Sequence, residues 1–359
     1  MGTFGDRKKM KWRIIAVLLL MCLPLAGYSE KTEEKPELNI NEVIFGHIGD
    51  SYEWHITEWK GKPVAVYLPV IVYSKTSGLN VFSSKKLCEG NNYIGFQYGN
   101  PDGKNADKVV EIVNGNEVRP LIDISITKNV LGLFFNCAVL LVLAFSVSNW
   151  YKKHSYETPP KGLRGGIEIL ILSVEDDIIK PCVGENYKKF SPYLLTAFFF
   201  IFVNNIMGLV PIIPGGANLT GNIAITFVLA MFTFFMVNVF GSKTYWKDIL
   251  WPDVPVWMKA PIPLMPLIEI FGLFTKPFAL MIRLFANTLA GHIIILCLTC
   301  VVFITVSLGA VLNGFMSVVA VLFIVFMDIL EILVAYIQAY VFTILSSIFI
   351  GMAQVKEEE

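Results

Sequence analysis

The chain has 359 residues, 55% of them hydrophobic and 16% charged, with 29 Lys+Arg balanced by 29 Asp+Glu. A mean hydropathy of +0.60 and several apolar runs of about 20 residues exclude an ordinary soluble protein and point to membrane spans. A formal net charge of zero leaves no basic surface to suggest nucleic acid.

Residues 1–29 read as a secretory signal. Arg7, Lys8, Lys9, Lys11 and Arg13 form a basic start, Ile14 to Ala26 an apolar core short for a span, and Ala26 to Ser29 a small-residue cleavage region. Residues 30–128 read as an exported, β-rich region. Lys31 to Glu37 is charged and expected to be disordered. Short β-like runs follow at Val64–Tyr73, Leu79–Phe82, Tyr93–Tyr98 and Lys108–Val113, punctuated by Gly, Asn and Asp. His47 and His55 stand among acidic residues, but no third ligand lies at a recognisable metal spacing; solvated surface or partner contact is the better reading.

The membrane region, 129–359, opens with a charge-free span, Val130–Trp150, followed by Lys152 and Lys153. The positive-inside rule places that end in the cytoplasm. The connection 151–191 contains an amphipathic piece, Ile167–Ile179, suited to the interface. A second span, Pro192–Pro211, carries Asn204 and Asn205, and Pro214 to Gly216 supplies a turn. A third, Asn222–Phe240, leads into a Trp- and Pro-rich interfacial loop, 241–262, with Trp246, Trp251 and Trp257. Two long apolar helices are then expected, Pro263–Leu308 and Phe315–Met352, joined by a turn at 309–314 into an antiparallel hairpin. Both exceed the roughly 30 Å hydrocarbon core about twofold at 1.5 Å per residue, so steep tilt is expected. The tail, Lys356 to Glu359, is predicted to be cytoplasmic. Of six cysteines only Cys88 lies in the polar N-terminal region, which is no disulfide framework. Cys297 and Cys300, a CxxC inside an apolar helix, read as small core residues.

Ionisable residues inside apolar spans are costly and mark ion paths. Here they begin only after residue 262. Glu269, Lys276 and Arg283 are spaced by seven and share a helix face, and Asn287 lies one turn beyond Arg283. His292 follows. The last helix brings Asp328, Glu331 and Gln338, the last two again seven apart. Arg283 stays protonated at any working pH, so its role is electrostatic: it can pair with a carboxylate arriving from elsewhere and force its ionisation. His292 and Glu331 can titrate and carry protons; Asn287 and Gln338 can hydrogen-bond water. A static buried pair of Arg283 with Glu269 or Glu331 is the competing reading. Lys276 fits equally a residue that snorkels to an interface, and Glu269 and Asp328 fit either ion entry or helix positioning. No nucleophile–base constellation, phosphate loop or zinc spacing is present, so no catalytic residue, cofactor or metal of the chain's own is expected.

At KPFALMIRLFANTLAGH (276–292) and EILVAYIQAYVF (331–342) the chain resembles subunit a of the F-type ATP synthase, with NNIMGLVP (204–211) and GNIAITF (221–227) extending the resemblance over roughly 130–359. The resemblance implies an all-α polytopic protein of about five membrane helices in a bacterial inner membrane. The resemblance further implies two ion half-channels beside a ring of c subunits, with b subunits of the peripheral stalk as expected partners. The family's arginine falls on Arg283, facing the ring's carboxylate; its Asn and Gln lining positions fall on Asn287 and Gln338. Its polar pair falls on His292 and Glu331, in an order reversed from that of some members, and its preceding acid and lysine on Glu269 and Lys276. Ala286 stands where Gly is common, and Asp328 receives no role. Residues 30–128 lie outside the resemblance. A self-contained transporter would be expected to show broken helices repeated in both halves, and none is seen; a receptor acting through 30–128 would not need an intramembrane arginine.

Overall fold

A computed structural model describes residues 49–59, 62–88, 91–100, 103, 105–106, 108–154, 160–210, 216, 218–251 and 264–354. The signal segment, Lys31 to Glu37, His47, the Pro214–Gly215 turn, Trp257 and the charged tail lie outside these residues, as does the His55 side chain.

The β-rich part contains β1 (Glu53–Trp59), β2 (Lys62–Tyr67), β3 (Pro69–Ser74), β4 (Gly78–Ser83), β5 (Phe96–Tyr98), β6 (Val109–Val113), β7 (Asn116–Val118) and β8 (Ile122–Asp123). They make three small antiparallel sheets, β1-β2, β4-β3-β8 and β5-β6-β7. The expected run 64–73 is split at Leu68, which is buried and whose N–H bonds to Tyr52 O. Alternation decides the faces: Val70, Val72, Phe82, Phe96 and Val109 join Tyr52 and Leu87 in one core. Asn114 and Gly115 both hold positive φ, as a tight β6–β7 hairpin turn requires.

The helices are α1 (Lys128–Lys153), α2 (Leu163–Ser173), α3 (Lys180–Val183), α4 (Tyr187–Leu209), α5 (Ile223–Val239), α6 (Lys243–Leu250), α7 (Leu264–Ile304) and α8 (Ala310–Ala353). Among the described residues four stretches are long and apolar enough to cross a membrane, or five if α5 and α6, bent by 102°, form one broken span. Thr127 caps α1 by accepting from Val130 N, and Asn222 caps α5 by accepting from Ala224 N.

Within the connection 151–191 the amphipathic piece expected at Ile167–Ile179 is helical, and the helix extends beyond it. From Leu163 to Leu209 the chain stays helical through a π-type segment, Val174–Ile179. Val174, Ile178 and Ile179 are buried in the same core as Phe190, Leu194, Phe198 and Ile201 of α4 and Phe342 and Ile350 of α8. The C-terminal apolar members of the amphipathic piece therefore cover protein, while Ile169 and Leu172 stay exposed. At Gly351 a Cβ would collide with the Cys182 carbonyl, so only glycine lets α8 come this close to α3.

The hairpin turn is shorter than expected. Gly309, at φ +102°, reverses the chain alone, and Ala310 to Gly314 are already helical. Thr305 Oγ1 donates to Asn313 Oδ1 at 3.0 Å across it. Three contacts define the antiparallel alignment of α7 and α8: Thr305 with Asn313, His292 with Glu331, and Lys276 over the Phe349 ring. With 41 and 44 residues, the two helices run about 62 and 66 Å on the α-helical rise. Of the CxxC pair, Cys300 is buried as expected but Cys297 is exposed; both are free thiols.

Candidate functional site

The best-defined polar contact in the α7–α8 hairpin joins His292 Nδ1 and Glu331 Oε1 at 3.1 Å, with both side chains mostly covered. Glu331 Oε2 is buried and has no hydrogen-bond partner among the described residues. The neighbour that makes room is Gly291: a Cβ there would stand 2.5 Å from Glu331 Oε1 and 3.0 Å from its carboxyl carbon. Sequence reasoning singled out the histidine and the glutamate but missed this glycine. Its only signal was its place directly before His292. Asp328 is half-buried one turn before Glu331 on the same helix.

Arg283 is differently placed. It is exposed, and no carboxylate among the described residues pairs with it. The competing reading of a sealed internal pair therefore has no support here, because Glu331 is engaged by His292. Asn287 is exposed one turn on, and Ala279, Ala286 and Ala290 are exposed around the pair. Leu280, Met281 and Leu284 are buried. The exposed side of the helix carries Phe274, Phe278 and Ile282 together with Arg283, Asn287 and the alanines, so the charge and the amide stand within an otherwise apolar surface. Gln338 is 6% exposed. The antiparallel alignment brings it level with the turn between Arg283 and Asn287.

Lys276 sits toward the other end of α7. It lines an open cleft of about 290 Å³ with Thr233, Asn238, Tyr245, Pro277 and Phe349, its Nζ 5.6 Å from the Phe349 ring centre. Glu269 is half-buried and near enough to Tyr245 to act on it electrostatically. The seven predicted residues therefore separate into three places: Glu269 and Lys276 near the cleft, Arg283, Asn287 and Gln338 in the middle, and His292 with Glu331 toward the hairpin turn. From Lys276 to His292 is about 24 Å along the helix.

A further polar contact lies between α1 and α4, where Asn136 Nδ2 donates to Asn204 Oδ1 at 2.7 Å with both residues buried. Asn205 accepts from the Thr220 hydroxyl. Sequence reading noted Asn204 and Asn205 but not Asn136, a lone amide in an apolar span.

Residues 131–351 match the family model described as ATP synthase A chain, and residues 43–121 match a domain of unknown function, DUF8433. The chain is 40% identical over 241 residues to an ATP synthase subunit a of Chloroherpeton thalassium, covering 66% of this chain and 68% of that one. It is 43% identical over 241 residues to that of Pelodictyon phaeoclathratiforme, covering 66% and 67%. To that of Myxococcus xanthus it is 38% identical over 239 residues, covering 65% and 74%. With the family match spanning more than half its length, the chain belongs to the ATP synthase A chain family, carrying an additional β-rich domain ahead of its membrane helices.

Proposed function

We propose that this chain forms two proton half-channels beside a ring of c subunits and couples proton flow to ring rotation. The observation that carries the reading is the contrast between two charged groups. Glu331 has a partner within the chain, whereas Arg283 has none among the described residues and stands on an exposed face. A guanidinium facing hydrocarbon costs several kcal/mol or more, so that face calls for a partner bearing negative charge. A passing carboxylate of the ring meets the requirement, and the small side chains of Ala279, Ala286 and Ala290 allow its helix to approach closely.

In this reading protons enter from the exported side past His292 and Glu331, whose imidazole and carboxylate can hand a proton between them at 3.1 Å. They load a ring carboxylate and leave on the cytoplasmic side through the cleft bearing Lys276 and Glu269. Arg283 stands between the two paths. It repels protons crossing directly and keeps the carboxylate opposite it ionised, while Asn287 and Gln338 supply hydrogen bonds beside it. Each charge crossing about 100 mV releases roughly 2.3 kcal/mol, which drives rotation. The orientation (domain in the periplasm, C-terminus in the cytoplasm), a bacterial inner-membrane location and contact with the b subunits complete the proposal.

Arg283→Ala in the reconstituted complex is expected to abolish ATP-driven proton pumping while the detached ATPase head keeps its activity. Pumping retained in that variant rejects the proposal. A self-contained transporter would instead transport in vesicles without ring or head.

A further inference from the structure

The central sheet of the added domain, β4-β3-β8, presents an unusual outer face. The register sets three rows across it. Tyr73 lies between Leu79 and Ile122; Ile71 between Val81 and Ile124; Pro69 between Ser83 and Ile126, the last two rows extended by the bonds from Ile124 N to Ile71 O and from Ile126 N to Pro69 O. Eight of these nine positions are apolar. Leu79, Val81 and Ile124 are 67%, 63% and 68% exposed, and Ile122 and Tyr73 about half. The other face of the sheet already holds the domain's core, through Val70, Val72 and Phe82. A half-solvated antiparallel sheet alternates apolar and polar residues; this one is apolar on both faces. A contiguous patch of this kind marks an interaction surface.

What covers it follows from where it is held. The row that ends in Ile126 runs directly into Thr127, the cap of the α1 membrane span. The join is fixed: Lys128 N bonds to Ser51 O at 2.9 Å, Asn129 N to Asp50 Oδ1 at 3.1 Å, and Trp54 of β1 packs on Leu219. Ile124 is four residues from the span, at most about 14 Å along extended chain. The face is thus tethered close to the start of α1, a span that itself displays Phe134, Leu141, Val142 and Phe145. No acidic residue stands in the three rows. The cations Lys75, in the β3–β4 turn, and Arg119, leading into β8, flank the Tyr73 row and are exposed. An apolar face edged by tyrosine and cations suits the boundary between acyl chains and anionic headgroups.

We propose that the β4-β3-β8 face seats in the membrane interface, so that the added domain rests on anionic lipid beside the span it precedes. The assignment is independent of the ion path. It is tested in the assembled complex, with native cysteines replaced, by a Val81→Cys variant carrying an environment-sensitive fluorophore in vesicles containing phosphatidylglycerol. An Asn91→Cys variant, exposed on a loop, serves as reference. The expected result at 81 is a blue-shifted emission, quenched about twofold or more by nitroxide-bearing lipid and spared by aqueous iodide, with the reverse at 91. Lys75→Glu with Arg119→Glu is expected to weaken the lipid quenching. Iodide quenching at 81 overturns the proposal, since the face then meets water. Protection from both quenchers overturns it equally, because a protein partner then occupies the face.

Discussion

Gly291 shows how one missing methyl group can set the approach of two side chains across a helical hairpin. The Glu331 carboxylate lies where a side chain on residue 291 would have to be, and only this approach brings it to His292 at 3.1 Å. Gly291→Ala forces the carboxylate aside. Proton conduction through the membrane sector is expected to fall about tenfold or more, as for other displacements of a reacting group by an ångström. Assembly with the ring should remain intact, because the substitution touches a covered position. Passive conduction in vesicles stripped of the ATPase head, compared with the amount of ring recovered on purification, measures both. Arg283 is the complement of this glycine, with a large charge left uncovered where Gly291 leaves a space that is filled. The titratable residues were legible in the sequence because charge in an apolar span is conspicuous. The glycine was not, because its role is a distance between two helices.

At the scale of elements, helices are held together by few polar contacts in an apolar setting. Tyr193 OH meets Thr233 Oγ1 at 2.8 Å, and Thr233 in turn lies 3.3 Å from Ser346 Oγ, so one small chain links α4, α5 and α8. Between α1 and α4 the Asn136–Asn204 bond serves the same purpose. Asn136→Leu leaves the Asn204 carbonyl oxygen without that donor and is expected to destabilise the subunit by about 1 kcal/mol. Unfolding in mixed micelles reads the loss, and an Asn136→Leu, Asn204→Leu double variant should recover part of it. The span positions were readable from uninterrupted apolar runs. The helix at 163–183 was not, because its interspersed charges resemble an interfacial segment. Only the packing of Ile178 and Ile179 against α4 and α8 shows which side is covered.

For the molecule as a whole, the domain and the membrane helices meet at a fixed joint, and its chemistry makes it sensitive to alkali. Tyr52 is buried in the domain core and donates to Asp123 Oδ2 at 2.6 Å. Burial, and then the Asp123 carboxylate, push its phenol well above the ordinary value of 10.0; burial raises Tyr98 likewise. The folded state therefore favours the neutral phenols. Their contribution to stability is complete below pH 10 and is lost as pH rises beyond it, since the unfolded chain releases protons that the folded chain keeps. Near-ultraviolet circular dichroism of the purified protein is expected to show the domain loosening above pH 10. In Tyr52→Phe this transition should shift upward, and an unchanged midpoint would refute the assignment.

The membrane character of the chain, the separate β-rich region and the ionisable residues placed inside apolar helices were determined by the sequence alone, because hydropathy over 20 residues and charge within it are local properties. Tertiary structure decided the rest. Helix alignment brought His292 to Glu331 and left Arg283 uncovered, one glycine in a left-handed conformation sufficed for the hairpin, and strand register gathered eight apolar side chains on one open face. Those outcomes depend on which surfaces meet across long stretches of chain, and periodicity within a single segment carries no information about its partner.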